Sequence, residues 1–304
     1  MGNKRVILVT GCSGFIGRHL CKYLSKEYYI IGYDKVQPHK DFVRYIDRFI
    51  HRDITEELLK HNNIYAVIHL AAKAGVRESY DNIEEYLKNN IYGTKCVLDA
   101  CVKWWKPQKI LLASSSSVYG DIIFPSKEGD ITNPKSVYAM TKLSMETLAK
   151  VYLDSKLLDC NICNLRIFTV YGEHQRKGLA IRNFIDNVLE DKPIIVYGDG
   201  SQSRSFTHID DLCFIIEELL RKGYLPFVLN TGFGNTVTIK EVIDIISKHL
   251  DKHINIKYEP MNRYDVQRTQ PDTMLLDLTL PDIKQTIDIN EGIKRQIKWS
   301  ESLL

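Results

Sequence analysis

The sequence predicts an α/β protein with a doubly wound parallel sheet and a smaller α/β lobe toward the C-terminus. Three observations support this fold class. Short, continuous apolar runs recur through the first half of the chain, segments with helical spacing separate them, and a glycine-rich turn follows the first run. A strand that is buried on both faces has a continuous apolar run, as in a parallel sheet covered by helices. Alternation of strands and helices favours parallel βαβ units.

Each element of the first half is predicted from its own pattern. Apolar runs predict strands at residues 6–9, 30–34, 66–70 and 110–113. Helical spacing of apolar residues predicts helices at residues 15–26, 83–104 and 138–155. The second predicted strand ends at Asp34, which places an acidic side chain at the edge of the sheet.

After about residue 165 the pattern becomes less regular and glycines are more frequent. Short strands and helices are mixed there, with predictions at residues 194–197, 210–221 and 239–249. No low-complexity linker or internal repeat separates the two parts. We therefore expect one domain at residues 1–165 and a smaller lobe at residues 166–304, with the chain interleaved between them.

Charge and hydropathy exclude several classes of partner. The chain has 41 basic and 38 acidic residues, a net charge of +3, and no block of like charge, so no nucleic-acid partner is expected. The apolar stretch at residues 6–9 is too short for a signal-peptide core or a membrane span. We therefore expect no membrane partner.

The cysteines indicate a reducing compartment. There are seven, an odd number at irregular spacing. The CxxC at Cys160 and Cys163 has no second pair and no nearby histidine, so no metal site is expected. Unpaired, strand-borne thiols are typical of proteins kept reduced, and we expect a cytoplasmic protein.

A glycine motif joins the first strand to the first helix. Gly11, Gly14 and Gly17 form a GxxGxxG pattern, which provides a tight turn, close approach of the backbone to a pyrophosphate, and close packing of helix on strand. The N-terminus of the helix offers free N–H groups to phosphate. Asp34 would accept hydrogen bonds from ribose hydroxyls and repel a 2′-phosphate, which favours NAD over NADP, although neighbouring Lys35 weakens that preference.

Asp53 follows the end of another predicted strand and has two interpretations. Its carboxylate could accept a hydrogen bond from adenine. Equally, it could be the N-cap of a helix at residues 56–60, a common role for aspartate. The sequence does not separate the two.

Tyr138 and Lys142 form a YxxxK pair on one face of a predicted helix. A lysine ammonium and a positive nicotinamide ring beside the phenol would lower the tyrosine pKa and make it a base near neutral pH. The alternative is a surface tyrosine above a solvated lysine. A run of serines, 114–117, directly follows a predicted buried strand, where hydroxyls face the ligand crevice; the alternative is a flexible polar loop.

Taken together, these motifs resemble a known family. TGxxGFIG, HLAA at 69–72, SSSSVYG, YxxxK and GDGSQSRSFTHIDDL at 198–212 are similar to the extended short-chain dehydrogenase/reductases, and within them to the NAD-dependent sugar-nucleotide epimerases and dehydratases. The resemblance covers residues from about 5 to about 275. It implies a Rossmann NAD-binding domain with the catalytic residues, and a C-terminal lobe that mainly binds a sugar nucleotide.

The resemblance also implies roles for individual positions. Its catalytic residues fall on Ser115, Tyr138 and Lys142. Its cofactor-binding positions fall on Gly11, Gly14, Phe15, Ile16, Gly17, Asp34, Asp53, Ile54, Leu70, Ala71, Ala72, Tyr138 and Lys142. Arg204 falls where the family binds the nucleotide diphosphate, a role that suits a guanidinium; its alternative is a surface salt bridge.

The choice of reaction depends on Ser116 and Ser117. The 4,6-dehydratases have an Asp-Glu pair at these positions, and UDP-glucuronate decarboxylases usually have a glutamate at the second. Two serines leave elimination without its acid and base, so 4-epimerisation through a transient 4-keto sugar is favoured. The alternatives are a UDP-glucuronate decarboxylase, a 4,6-dehydratase, a 4-ketoreductase, and a non-catalytic dinucleotide-sensing protein.

Two segments are closest to the UDP-glucuronate 4-epimerases: RIFTVYG at 166–172, followed by Arg176, and HLAAKAGVR, which ends at Arg77. In that subgroup Ser116, Ser117 and Thr169 would bind the sugar carboxylate, with Ser115, Arg77, Arg176 and Arg204 as further substrate contacts. Their alternative role is binding a neutral sugar, as in UDP-glucose or UDP-N-acetylglucosamine.

Two departures from the family pattern concern the substrate. Residues 177–179 are Lys-Gly-Leu instead of Pro-Asp-Met, and Asn262 occupies a place where many relatives have a phosphate-binding arginine, with Arg263 beside it. The resemblance also implies a homodimer that pairs two long helices per subunit in a four-helix bundle.

Overall fold

The computed structural model describes residues 4–121, 124–261 and 266–304. Its strands are β1 (Val6–Thr10), β2 (Tyr29–Asp34), β3 (Arg48–His51), β4 (Ile64–His69), β5 (Lys109–Ser115), β6 (Asn161–Ile167), β7 (Thr169–Tyr171), β8 (Ile194–Tyr197), β9 (Ser203–Arg204), β10 (Phe206–His208), β11 (Val228–Thr231), β12 (Val237–Thr238), β13 (Ile256–Glu259) and β14 (Arg268–Thr269). Its helices are α1 (Phe15–Leu24), α2 (Glu78–Asp81), α3 (Ile83–Tyr86), α4 (Gly93–Ala100), α5 (Val137–Asp154), α6 (Ala180–Leu189), α7 (Ile209–Arg221), α8 (Ile239–Leu250), α9 (Met274–Thr279) and α10 (Ile289–Glu301).

The main sheet has seven parallel strands in the order β11-β6-β5-β4-β1-β2-β3. Strand order reverses between β1 and β4, and ligands of doubly wound sheets bind outside the carboxyl ends of the strands at such a reversal. The predicted fold class is confirmed. Strand β11, from the second half of the chain, forms one edge of this sheet.

Side chains of β1 alternate between two apolar layers, as strand geometry requires. Ile7 and Val9 pack with the layer under α1 and α7, whereas Leu8 packs with the layer under α4 and α5. Because both faces are covered, all the β4 and β5 side chains are buried, which explains the continuous apolar runs in the sequence. A third apolar cluster joins α6, β8, α8 and α10.

The predicted helix at 83–104 is a composite helical segment. It begins with α3, passes through a π-helical stretch at Leu87–Tyr92, continues as α4 and ends in another π-helical stretch at Cys101–Trp105. Helix α5 begins one residue before Tyr138, where the Ser136 hydroxyl caps it by accepting from the Ala139 N–H at 3.1 Å. The YxxxK pair therefore starts in the first helical turn.

The predicted helix at 56–60 is wrong. Trp105 Nε1 donates a hydrogen bond to the carbonyl oxygen of Leu59 at 3.0 Å, and the Tyr33 hydroxyl lies 3.4 Å from the same oxygen. Side chains from the core therefore satisfy backbone groups that a helix would have used. Asp53 instead closes a short turn, with Oδ1 accepting from the Thr55 N–H at 2.9 Å.

All seven cysteines are free thiols, and Cys163 is buried in the core. Within residues 4–121, 124–261 and 266–304, no group of histidine, cysteine and acidic side chains is arranged to hold a metal ion. In the same part of the chain, no helix combines the length and apolarity needed to cross a membrane.

Candidate active site

The glycine turn places backbone against backbone at the carboxyl end of β1. Gly11 has φ +73°, and a Cβ there would lie 2.6 Å from the backbone nitrogen of Ala71. A Cβ at Gly17 would lie 2.1 Å from the Gly11 carbonyl oxygen. Only glycine fits both positions, because any side chain would push α1 away from the sheet. Helix α1 begins after Gly14 without a side-chain cap, so its first N–H groups are available to an anion.

A cleft of about 280 Å³ opens beside this turn. Eight of the predicted cofactor-binding residues line it: Gly11, Gly14, Asp34, Asp53, Ile54, Leu70, Ala71 and Ala72. Six further residues line it that the sequence analysis did not assign: Ser13, Lys35, Val36, Arg52, Lys73 and Asn89. Most of these are neighbours of predicted ones, and that adjacency was the available signal. Phe15, Ile16 and Gly17 lie on α1 just behind the turn.

The Asp34 carboxylate is held at the lip of this cleft. The Ser13 N–H donates to Oδ2 and the Val36 N–H donates to Oδ1, both at 2.9 Å. Two N–H donors set the orientation of the carboxylate, and each oxygen keeps a free lone pair. A pair of ribose hydroxyls could bind there without rearrangement of the side chain.

Lys35 is paired with Asp53 across the cleft. Its ammonium nitrogen lies 3.2 Å from Asp53 Oδ2 and 3.4 Å from Asn89 Oδ1. Burial raises the pKa of Asp53, but hydrogen bonds from Thr55 and Lys35 outweigh burial and lower it. Lys35 weakened the predicted preference for NAD over NADP. In the structure its positive charge is paired with the Asp53 carboxylate.

A buried polar chain connects the cleft to α5. His69 lies between Thr10 Oγ1, 2.7 Å from Nδ1, and Thr94 Oγ1, 3.0 Å from Nε2, and burial lowers the His69 pKa to about 3. Asn90 accepts from the Lys73 N–H at 2.8 Å and donates to Thr141 Oγ1 at 2.9 Å. The neutral histidine and Asn90 hold β1, β4 and α5 in register. Sequence reasoning missed Asn90, since a single asparagine in a helix has no distinctive pattern.

Ser115, Tyr138 and Lys142 converge at the end of β5. The Lys142 ammonium donates to the Ala113 carbonyl oxygen at 2.5 Å and lies 5.9 Å from the centre of the Tyr138 ring. The Ser115 side chain lies within reach of Tyr138 and lowers the pKa of its phenol. Ser115 also lies within 3.1 Å of Ser117 Oγ and accepts from the Ser117 N–H. The serine run is thus an ordered turn at the strand end.

The protein's own groups shift the pKa of Tyr138 opposite to the expected direction. Burial raises the pKa of Tyr138, and the hydrogen bond to Ser115 and the charge of Arg176 only partly oppose it. Burial also lowers the pKa of Lys142 to about 8, while the Glu146 charge acts in the opposite sense. The prediction from the sequence considered only the charges near Tyr138, but desolvation of the phenol has the larger effect on its pKa.

Glu146 and Arg166 form a buried ion pair beneath this centre. Arg166 Nη2 lies 2.8 Å from Glu146 Oε2 and Nε lies 3.1 Å from Oε1, with each side chain 5% exposed. The Ser114 hydroxyl donates to the same carboxylate. This fork joins β5, β6 and α5. Glu146 lies one turn after Lys142 on α5, and helical spacing from the YxxxK pair was the signal that could have revealed it.

The predicted substrate contacts lie on several segments around this centre. Ser116 and Ser117 follow β5 directly, and Thr169 begins β7. Arg176 donates to the Ala74 carbonyl oxygen at 3.3 Å, and its charge lowers the pKa of Tyr138. Of these residues, Ser117 contacts Ser115 and Arg176 acts on Tyr138.

Two predicted arginines lie on the side of the smaller lobe. The Arg77 guanidinium lies over the Tyr197 ring, 4.2 Å from its centre. Arg204 donates to the carbonyl oxygens of Ser203 at 2.9 Å and Val266 at 2.7 Å. Asn262 and Arg263 are outside the described residues.

The whole chain is similar to a known protein family and to several of its members. The model of the NAD dependent epimerase/dehydratase family matches residues 7–232. The UDP-glucuronate 4-epimerase of Thermodesulfobacterium geofontis is 35% identical, over 97% of this chain and 95% of that protein. The crystal structure of the Bacillus cereus UDP-glucuronic acid 4-epimerase with UDP-glucuronic acid and NAD is 33% identical, with a TM-score of 0.89 over 98% of this chain and 100% of that one.

The fold is shared by enzymes with other sugars. The UDP-N-acetylglucosamine 4-epimerase of Methanobrevibacter ruminantium, solved with UDP-N-acetylmuramic acid, is 28% identical, with a TM-score of 0.90 over 99% of each chain. The resemblance stated from the motifs is confirmed, because the family match covers both the glycine turn and the Tyr138–Lys142 pair. This chain belongs to the NAD-dependent epimerase/dehydratase family.

Proposed function

We propose that this protein is an NAD-dependent enzyme that interconverts the C4 epimers of a UDP-sugar, with UDP-glucuronate and UDP-galacturonate as the favoured pair. One observation carries the proposal. The Ser115 side chain lies within reach of the Tyr138 phenol and lowers its pKa, and Lys142, one turn later on α5, anchors that helix to Ala113 beside a glycine-rich cleft. Relatives that bind UDP-glucuronic acid and NAD share the whole chain length, which supports this choice of sugar.

The cleft residues fit NAD. Gly11 lets the turn pass close to the backbone of Ala71 at the edge of the cleft, the uncapped start of α1 offers N–H donors, and Asp34 offers two oriented oxygens. When bound, NAD accepts the C4 hydrogen of the sugar with its electrons and returns it to the opposite face. We assign cofactor binding mainly to residues 1–165 and sugar-nucleotide binding mainly to residues 166–304, including Arg204.

Tyr138 acts as the acid and base at the 4-hydroxyl. Its phenol oxygen takes the hydroxyl proton when the C4–H bond breaks and returns a proton when that bond re-forms. Ser115, which lies beside Tyr138, would donate a hydrogen bond to the same reacting oxygen. Lys142 keeps a positive charge within 5.9 Å of the phenol ring, which stabilises the phenolate form.

The neighbouring hydroxyls favour epimerisation over elimination. Ser116 and Ser117 occupy the turn after β5, where a dehydratase needs carboxyl groups to move a second proton. Serine hydroxyls donate hydrogen bonds but do not serve as an acid near neutral pH. Together with the cationic Arg176, they suit a sugar carboxylate that is bound and retained.

Product analysis tests the proposal directly. The purified protein is incubated separately with UDP-glucuronate, UDP-glucose and UDP-N-acetylglucosamine, and the sugars are identified by NMR. We expect UDP-galacturonate from UDP-glucuronate, with catalytic amounts of NAD and no net NADH. Loss of CO₂, loss of water or stoichiometric consumption of NADH would assign a different reaction on this fold. No conversion of any sugar would favour the dinucleotide-sensing alternative.

We also propose that the protein is a cytoplasmic homodimer. The helical segment at residues 83–105 and helix α5 expose apolar side chains, among them Ile83, Tyr92 and Val151, each about half exposed. Pairing these two segments with their copies would bury them in a four-helix bundle. Sedimentation velocity is expected to give twice the mass of one chain. Val151→Asp should shift the protein toward monomer, whereas the same change at exposed Tyr224 should not.

A further inference from the structure

Arg176 and Glu78 form an ion pair at the edge of the catalytic site. Arg176 comes from the loop after β7, and Glu78 is the first residue of α2. Arg176 Nη1 lies 3.7 Å from Glu78 Oε1, and Nη2 lies 3.3 Å from the Ala74 carbonyl oxygen. The side chains are 40% and 54% exposed. A long, half-exposed contact of this kind is weak and exchangeable.

The Glu78 carboxylate is seated against Gly75. A Cβ at Gly75, whose φ is +125°, would lie 1.8 Å from Glu78 Oε2. The Gly75 carbonyl oxygen accepts a hydrogen bond from the Tyr86 hydroxyl at 2.9 Å, and the Tyr86 ring lies edge-on to Tyr138, with their centres 6.4 Å apart. Gly75 and Tyr86 therefore link the ion pair to Tyr138 through a chain of neighbouring groups.

The charges of Arg176 and Glu78 both affect tyrosines beside the site. Arg176 lowers the pKa of Tyr86 and of Tyr138, while Glu78 raises the pKa of Tyr86, although burial is the largest influence on both tyrosines. The carboxylate of an incoming anionic sugar would compete with the Glu78 carboxylate for the guanidinium of Arg176. The hydroxyls of a neutral sugar could accept hydrogen bonds from the guanidinium, but they carry no charge to replace that of Glu78.

We propose that Glu78 is a specificity-determining residue that occupies Arg176 until the carboxylate of a uronic acid nucleotide displaces it. The inference rests on the proposed function, because it needs a carboxylated sugar. Exchange of one carboxylate for another keeps the guanidinium paired in every state. Competition from Glu78 lowers the affinity of the protein for the uronic acid nucleotide. The affinity for a neutral sugar nucleotide does not change.

Binding measurements in a Tyr138→Phe background test the exchange without turnover. NAD-loaded protein is titrated calorimetrically with UDP-glucuronate and with UDP-glucose. Glu78→Gln is expected to lower the Kd of UDP-glucuronate roughly two- to fivefold, the size of an exposed ion pair. The Kd of UDP-glucose should stay within about 1.5-fold. The matched control is Glu84→Gln, which removes an equally exposed carboxylate nearby.

A second variant separates exchange from simple repulsion. When Arg176→Gln is present, Glu78→Gln should no longer change the Kd of UDP-glucuronate, because the two residues act through one contact. An effect that persists without Arg176, an equal change for both sugars, or an unchanged or higher Kd for UDP-glucuronate would overturn the proposal. Absence of measurable UDP-glucuronate binding would also overturn it. The proposed function fails separately, if unmutated protein binds UDP-glucuronate but does not epimerise it.

Discussion

The ammonium group of Lys142 donates a 2.5 Å hydrogen bond to the carbonyl oxygen of Ala113. This bond attaches the second turn of α5 to the end of β5. Tyr138 lies one helical turn before the lysine, and Ser115 lies two residues after the alanine. The hydrogen bond between Lys142 and Ala113 therefore fixes the position of the Tyr138 phenol relative to the Ser115 hydroxyl. Substitutions at Tyr138 and Lys142 can test this arrangement.

Tyr138→Phe removes the hydroxyl to which we assign the acid–base role and keeps the ring. We expect kcat to fall by about 10²–10⁴-fold, the usual contribution of a positioned acid or base. The Kd of the UDP-sugar should change little, because most binding contacts lie elsewhere. Stopped assays with NMR product identification measure the rate. Tyr224→Phe, at an exposed position outside the helices of the proposed dimer, is the control, and a Tyr138→Phe rate within tenfold of the unmutated protein contradicts the assignment.

Lys142→Met separates activity from stability. Burial lowers the pKa of Lys142 from 10.5 to about 8, a shift equivalent to roughly 3 kcal/mol of unfavourable free energy for the buried ammonium. Losing the bond to Ala113 costs about 1 kcal/mol. The variant should therefore be inactive yet more stable at pH 7, by about 1–2 kcal/mol after both effects. Urea denaturation measures the difference.

The same variant has an expected pH dependence. The unfolded chain keeps the Lys142 proton up to about pH 10.5, whereas the folded chain loses it near pH 8. Between these values the unfolded state binds more protons, so the unmutated protein gains stability as pH rises. The advantage of Lys142→Met should shrink across that window. An advantage that is constant from pH 7 to pH 10 would show that the lysine is not desolvated.

Breaking the buried pair beneath the site should be costly. Arg166→Met leaves the Glu146 carboxylate buried beside a neutral side chain and should destabilise the protein by about 3–5 kcal/mol. Replacing both residues, with Glu146→Leu added, removes the unpaired charge and should recover much of that loss. Urea titrations of the two single variants and the double variant give the coupling. Additive losses would mean that the two side chains do not interact.

Asp34→Asn tests the choice of cofactor. The change removes the charge and gives the side chain N–H donors that face the backbone N–H groups of Ser13 or Val36. We expect the Kd of NAD to rise roughly 10- to 100-fold, as for loss of charged hydrogen bonds, and the Kd of NADP to fall. Fluorescence titration measures both. Asp41→Asn, an exposed change near by, should alter neither, and unchanged NAD binding in Asp34→Asn would exclude the assigned role.

Local sequence patterns predicted the four central strands of the main sheet, β5, β4, β1 and β2, and the position of the cleft. Continuous apolar runs indicate strands that are covered on both faces. Gly11 and Gly17 follow a pattern that is typical of a helix packed tightly on a strand. Asp34 was predicted as a strand-end acid, and it lies at the cleft. Patterns of this kind depend on spacing along one segment, so the sequence alone carries them.

Contacts between distant segments were not predictable in the same way. Asn90, Glu146 and Glu78 have no pattern of their own, and each acquires a partner only when helices meet strand ends. The helix expected at residues 56–60 failed because Trp105 and Tyr33 bind that backbone from elsewhere in the chain. Propensity is weak compared with such tertiary hydrogen bonds.

By itself, the sequence determined the alternation of strands and helices in the first half of the chain, the glycine turn and the pairing of Tyr138 with Lys142 on one helix face, since all of these follow from short-range spacing. Only the tertiary structure decided the direction of the Tyr138 and Lys142 pKa shifts and the partners of Lys35 and Arg176. Those properties depend on desolvation and on charges brought close by chain segments that are far apart in sequence.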